Sequence, residues 1–225
     1  MGNDCKYCPF NTKISDIFSD YCFEQLSANH AVVSFAKGDS IIKQGALSTN
    51  VVFLRKGLVK IHLKGPSREQ IVRLVKAPTY LGLPTTFGDK INQYSVSAVS
   101  DVEACFIDMN VFQNLLQRNH TFAYQIILEL CQNDLESYRR CANRTQKQSR
   151  GNLADVLLEF SNHIFESDNF ILPISQSELG SLIDTSRESI SRFLSEFDKD
   201  GIITCEGKKI IILNKRLLKL ISENG

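Results

Sequence analysis

Ser177-Glu178-Leu179-Gly180-Ser181-Leu182-Ile183-Asp184-Thr185-Ser186-Arg187-Glu188-Ser189-Ile190-Ser191-Arg192-Phe193-Leu194 decides how this chain is read. Just upstream, Ser175 is a good N-cap, and Glu178 stands where a capping box needs its acid, so a helix starts there. Leu179, Leu182 and Ile183 form its apolar face, and Gly180 is small enough for another helix to come close. Asp184-Thr185 breaks the pattern, and Ser186 is the N-cap of a second helix. That helix buries Ile190, Phe193, Leu194 and Phe197, and Gly201 ends it. Two short helices joined by a tight turn form a helix-turn-helix.

The chemistry lies on the side that the second helix leaves polar. Arg187, Glu188, Ser191 and Arg192 occupy it, the first two in the opening turn. In a helix-turn-helix those N-terminal positions face base edges in the major groove. An arginine can pair with guanine O6 and N7, and a glutamate can accept from cytosine N4. Arg187 and Arg192 stand a little over one turn apart, a reach suited to neighbouring base pairs. Ser175, Gln176 and Ser186 sit at helix starts, where the positive end of the helix favours phosphate. Downstream, Ile202–Thr204 and Ile210–Leu213 flank Glu206-Gly207-Lys208-Lys209 as a β-hairpin wing, with Lys208 and Lys209 placed against the DNA backbone. A plainer reading is a solvated helix whose Glu188 and Arg192 form an i,i+4 pair. Capping box, break, Arg-Glu-x-x-x-Arg and basic wing together select double-stranded DNA.

Outward from this motif the chain falls into three parts. Residues 31–108 read as β, with Ala31–Phe35, Val51–Leu54, Leu58–Leu63, Gln70–Val75, Tyr94–Val99 and Ala104–Ile107 separated by turn signals. Gly38, Gly45 and Gly57 fall at those turns, and many short strands indicate a jelly roll or sandwich. Residues from about 109 to 142 read as one long helix, with Tyr124, Leu128, Cys131, Leu135, Tyr138 and Ala142 at heptad spacing. That seam packs either on a second copy, making a homodimer, or on the chain's own β domain. A further amphipathic helix, Leu153–Ile164, and a short β segment, Phe170–Ile174, precede the helix-turn-helix. The expected fold is therefore α+β: an N-terminal segment and β jelly roll (1–108), a dimerisation helix with its hinge (109–145) and a C-terminal winged helix-turn-helix (146–225).

Composition narrows the function. With 225 residues, 43% hydrophobic and a net charge of +1, the chain has an ordinary globular make-up and is not a globally basic nucleic-acid binder. Residues 146–225 hold ten Lys and Arg against twelve Asp and Glu, a net of −2, so DNA binding there depends on basic groups gathered on one face. No apolar run approaches the ~20 residues that span a bilayer, and the start of the chain lacks the charged and apolar regions of a secretory signal. The seven cysteines are scattered, which reads as a reducing cytoplasm. There is neither a Gly-rich phosphate loop nor a nucleophile–base motif, so no enzyme is expected.

The stretch from Ser177 to Leu194 resembles the winged helix of the Crp/Fnr transcription regulators, and the resemblance extends over nearly the whole chain. Phe35-x-Lys37-Gly38-Asp39 and Gln44-Gly45 look like the opening strands of that family's cyclic-nucleotide-binding-type roll, and Phe53–Lys60 looks like its glycine turn. The resemblance implies a dimer on a near-palindromic promoter site, with RNA polymerase as a partner if it activates. Arg187, Glu188 and Arg192 match the pattern that reads a TGTGA/TCACA-like half-site in the catabolite-activator branch.

The family's ligand cassette matches Tyr80-Leu81-Gly82-Leu83-Pro84-Thr85-Thr86-Phe87 and then Tyr94-Ser95-Val96, with Gly82, Leu83, Pro84, Thr85, Tyr94 and Ser95 as the pocket residues. Leu83 replaces the carboxylate that takes the ribose hydroxyl, and Tyr94 replaces the arginine that neutralises the phosphate. An anion buried without a counter-charge is strongly penalised, so cAMP and cGMP are not expected here. Cys5-x-x-Cys8 has the spacing of a metal or redox pair. In the Fnr branch an N-terminal cysteine cluster with one cysteine from the roll holds an iron–sulfur cluster. Cys5, Cys8, Cys22 and Cys105 would be its counterparts, although Cys22 lies beyond the usual spacing. An iron–sulfur cluster, zinc, a disulfide and an inert pair all remain open. Some relatives bind haem in the roll, and His62 would be the axial ligand, but a surface or core histidine is the plainer reading; the four histidines show no ligand spacing.

Overall fold

The computed structural model describes residues 20–225, which fall into two compact units, one ending at Asn133 and the other running Asp134–Gly225. The Cys5–Cys8 pair lies outside the described residues. In the first unit α1 (Asp20–Ala28) leads into β1 (His30–Phe35), β2 (Ser40–Ile42), β3 (Asn50–Lys56), β4 (Leu58–Lys64), β5 (Glu69–Lys76) and β6 (Thr79–Leu81). A short helix α2 (Leu83–Phe87) follows, then β7 (Ser95–Ala98), β8 (Val102–Asp108), α3 (Met109–Arg118) and α4 (His120–Gln146), whose residues from Asp134 onward belong to the second unit. The strands form two four-stranded antiparallel sheets, β1-β8-β3-β6 and β2-β7-β4-β5. Every predicted strand is present; β2, β6, α1 and α2 are additions.

Alternation along the strands places one core between the sheets and another outside the roll. Val52, Leu54, Val59, Ile61, Leu81 and Val96 belong to the first. Phe53 and Val51 point the other way, into a cluster with Leu26, Leu83, Cys105, Phe112, Phe122 and Ile126. Phe112 is fully buried at its centre, with ring centroids 5.6 Å from Tyr80 and 5.5 Å from Phe122, so one ring joins β6 to α3 and α4. Gly57 turns β3 into β4 at φ +98°; a Cβ there would lie 2.4 Å from the Asp101 carbonyl oxygen.

The stretch expected as one helix from about 109 is two. Asn119 interrupts it in extended backbone, and its side-chain oxygen accepts the Phe122 N–H at 3.0 Å, so it ends α3 and caps α4. α4 then runs 27 residues and buries Phe122 and Ile126. The six predicted seam residues are all exposed, with Tyr124, Leu135 and Tyr138 each more than half accessible. The helix continues through 142–145 to Gln146, and the helical run breaks at Lys147 and Gln148.

In the second unit α5 (Ser149–Glu159) passes into a π-helical turn (Phe160–Ile164), then β9 (Asn169–Ile171), α6 (Gln176–Ile183), α7 (Arg187–Lys199), β10 (Ile203–Glu206), β11 (Lys209–Ile212) and α8 (Lys215–Asn224). Leu153, Val156, Leu157, Phe160 and Ile164 are buried as their spacing predicts. The wing is a three-stranded sheet, β10-β11-β9, and α8 is a helix that the sequence reading did not include. The last turns of α4 are tied to α5 by a bidentate Arg140–Glu159 pair (2.7 and 3.2 Å), and Lys147, just past the end of α4, reaches Asp155 Oδ2 through its Nζ at 2.6 Å. Among the described residues no helix is long and apolar enough to cross a membrane.

Phe112→Ala should destabilise the first unit by about 3–5 kcal/mol through the lost aromatic cluster and the cavity left behind. Urea unfolding measures it; a loss below about 1 kcal/mol would mean that Phe112 does not hold β6 against α3 and α4.

Candidate nucleic-acid interface

The helix-turn-helix is fixed by backbone geometry before any DNA is considered. Ser175 Oγ accepts the Glu178 N–H at 3.2 Å, and Glu178 Oε2 accepts the Ser175 N–H at 2.9 Å, completing the capping box of α6. Asp184 ends α6 in the left-handed region at φ +61°. The Thr185 N–H donates back to the Gly180 carbonyl at 2.9 Å. A Cβ on Gly180 would stand 2.6 Å from the Thr185 carbonyl oxygen, so the turn closes over this position only because no side chain is there. Ser186 Oγ then accepts the Ser189 N–H at 3.1 Å and starts α7.

With the turn set, Ile190, Leu194 and Phe197 are buried, and Arg187, Glu188, Ser191 and Arg192 share the exposed face. Phe193, expected on the buried face, is only half-buried, and the Arg192 guanidinium covers part of its ring, 5.0 Å from the centroid. Backbone and Ser186 hydrogen bonds hold the Glu188 carboxyl below the usual carboxylate range, which keeps it an acceptor. Arg192 also lies 3.8 Å from Glu196, an exposed pair too weak to fix it. Its planar group is therefore free to exchange that partner for a base edge. Ser175 and Gln176, at the start of α6, are part-exposed, and Ser186 is exposed.

The exposed face continues through Ser195 and Lys199, which the sequence reading left out although helical spacing from Ser191 reaches both. Arg150 was also missed. Its guanidinium stacks over the Phe197 ring at 5.1 Å and lies 3.3 Å from Asp200, so α5 steadies the far end of α7. No sequence spacing could have revealed that contact. In the wing Gly207 turns at φ +63°, and Lys208 and Lys209 are exposed. The Cys205 N–H donates to Asp198 at 3.1 Å, tying the wing to α7, and the Lys208 carbonyl accepts the Leu172 N–H at 2.7 Å.

The residues matched to a ligand cassette are arranged differently from a nucleotide cradle. Leu83 is buried in the outer core, Pro84 is exposed, and Gly82 adopts φ +80°. Tyr94 Oη accepts the Gly82 N–H at 3.1 Å, and burial pushes its phenol up, so it stays neutral. Thr85 and Thr86 hydroxyls both donate to the Gly82 carbonyl at 2.9 Å, and Ser95 Oγ accepts the Gln44 N–H at 3.0 Å. The polar groups of this loop thus satisfy one another. Arg73, a neighbouring cation, donates to Asn133 at 2.9 Å. With no carboxylate at position 83 and a neutral phenol at 94, these residues do not fit a cyclic nucleotide. His62 engages Glu69 through Nδ1 (2.8 Å) and Ser97 through Nε2 (2.9 Å), so both ring nitrogens have protein partners and neither is left for haem iron. Cys22 and Cys105 are buried in the same outer cluster.

Comparison with known proteins agrees with both halves of this description. Residues 32–119 match the cyclic nucleotide-binding domain family, and residues 151–221 match the Crp-like helix-turn-helix domain family. Electron transport regulator A of Shewanella oneidensis is 24% identical over 194 residues, covering 84% of this chain and 77% of that protein. A CRP-like cAMP-activated global transcriptional regulator of Mycobacterium tuberculosis is 21% identical over 191 residues, covering 83% and 85%. In fold, FixK2 from Bradyrhizobium japonicum superposes with a TM-score of 0.77 at 17% identity, covering 85% of this chain and 96% of that one.

Gly180→Ala should force the turn open, destabilise the second unit by about 1–3 kcal/mol and weaken sequence-specific DNA binding. Unfolding and mobility-shift measurements together check it; a wild-type midpoint would show that α6 and the turn tolerate a methyl group.

Proposed function

Because this chain belongs to the Crp/Fnr family of DNA-binding transcription regulators, which are not enzymes, we propose that it acts as a homodimer on a near-palindromic promoter site. The observation that carries this reading is the exposed Arg187-Glu188-x-x-x-Arg192 face on a helix whose start and turn are fixed by Ser186 and Gly180. Arg187 and Arg192 pair with guanines, and Glu188 accepts from a cytosine. Ser175, Gln176 and Ser186 hold phosphate at the helix starts, and Lys208 and Lys209 hold it from the wing. The dimer forms along Tyr124, Leu128, Cys131, Leu135, Tyr138 and Ala142, an apolar stripe left in solvent by a single copy. It sets the two recognition helices about 34 Å apart, one turn of DNA. An activator would add RNA polymerase as a partner.

The signal enters at the roll and is not a cyclic nucleotide, since Leu83 and Tyr94 offer neither the acceptor nor the charge such a ligand requires. It acts by shifting a two-state dimer in which the packing of α4 differs between states. A second reading, a metal- or thiol-based sensor, draws on the two buried thiols Cys22 and Cys105 sharing the cluster that α1 closes, directly after the segment with Cys5 and Cys8. Iron, zinc and sulfide analysis of anaerobically purified protein separates the two.

Arg187→Ala should lose about 1–3 kcal/mol on the specific site and relax preference at one base pair. Lys208→Ala should weaken all sequences alike and lower the salt slope by about one unit. Mobility shifts on specific and random fragments distinguish them; equal loss on both DNAs for Arg187→Ala would make it a phosphate contact.

A further inference from the structure

We propose that the cavity between the β5–β6 edge of the roll and α4 binds a small molecule with a protonated amine on an apolar or aromatic body, and that this molecule is the signal. The proposal rests on the reading of the chain as a signal-dependent regulator and names the chemistry of the signal. The cavity holds about 440 Å³, within the range of small-molecule sites. Of the stretch matched to the ligand cassette Tyr80 lines it, whereas Gly82, Leu83, Pro84, Thr85, Tyr94 and Ser95 do not. Its apolar wall comes from Phe53, Val75, Pro78, Phe122, Ile126 and Leu128, so the body of a ligand would be buried against aromatic and aliphatic side chains.

The polar feature is Glu129 of α4. Its Oε1 accepts the Thr79 hydroxyl at 3.0 Å and the Tyr80 N–H at 3.4 Å, which fixes the carboxylate at the cavity wall. Its Oε2 receives neither a hydrogen bond nor an ion pair from any described residue. A half-buried carboxylate oxygen without a donor favours a charge-assisted bond from a cation. Lys76 also lines the cavity but is engaged in an interaction that does not involve Glu129.

The position explains how occupancy would be felt. Leu128 both lines the cavity and belongs to the exposed stripe of α4, and Glu129 is its neighbour in sequence. A ligand held there touches the helix on which the dimer is proposed to form, and its differential affinity for two packings of that helix is what shifts the equilibrium.

The test uses the full-length protein without DNA, by calorimetry and thermal shift. Benzylamine, phenethylamine and tryptamine are compared with their carboxylate counterparts phenylacetate, 3-phenylpropionate and indole-3-propionate. At least one amine should bind saturably, its carboxylate counterpart should not, and Glu129→Gln should weaken the amine about tenfold or more. Gln132→Trp, a change at an exposed position on the cavity rim, should abolish binding and leave the unfolding temperature of the free protein unchanged. The proposal is overturned if no amine saturates, if the carboxylates bind as tightly, or if Glu129→Gln leaves affinity intact. Because DNA is absent, such a result leaves the winged-helix reading standing, while loss of specific mobility shifts would strike that reading alone.

Discussion

α4 is a helix that one chain cannot fully bury. It presses Phe122 and Ile126 into the outer core and leaves Tyr124, Leu128, Leu135 and Tyr138 in water. Apolar surface is worth roughly 25 cal/mol per Å² when covered, so the stripe favours association with a matching stripe. A symmetric pairing along it would duplicate everything attached to the helix. Two recognition helices related by a twofold axis then require a target with the same symmetry. In this way a packing constraint on one helix would determine the form of the DNA site in the proposed dimer.

The charge of the second half makes the same point from another side. With a net of −2, residues 146–225 are not held to DNA by bulk field. Acidic groups stand among the basic ones: Glu196 lies near both Arg192 and Arg150, and Asp200 pairs with Arg150. On the proposed mode of binding, these acids would restrain non-specific attraction and leave affinity to the few groups on the exposed face of α7 and on the wing. A specific site would gain from Arg187, Glu188 and Arg192 together, whereas random sequence would gain mainly from Lys208 and Lys209.

Much of this was legible in the residues themselves. The capping box, the break at Asp184 and the cap at Ser186 are local chemistry and appear where their spacing places them. The positive-φ turns at Gly38, Gly45 and Gly57 follow for the same reason. What could not be read depends on contacts between distant segments. β2 and β6 are three residues each, too short for alternation to show, and exist because β7 and β3 pair with them. The break at Asn119 was hidden because its flanks are helical and only the side-chain cap reveals it. The role of Arg150 depends on Phe197, and the open oxygen of Glu129 depends on how β6 meets α4. In the cassette, sequence showed which groups were missing, and the structure shows the Tyr94 hydroxyl bonded to the Gly82 amide.

Hydroxyl-radical footprinting of the protein on a selected promoter fragment reads the symmetry of the bound protein from the DNA. Two recognition helices of one dimer predict protection in successive major grooves on one face of the duplex, about 10 base pairs apart, over two inverted half-sites. A single protected patch over one unrepeated site would contradict a symmetric dimer formed along α4.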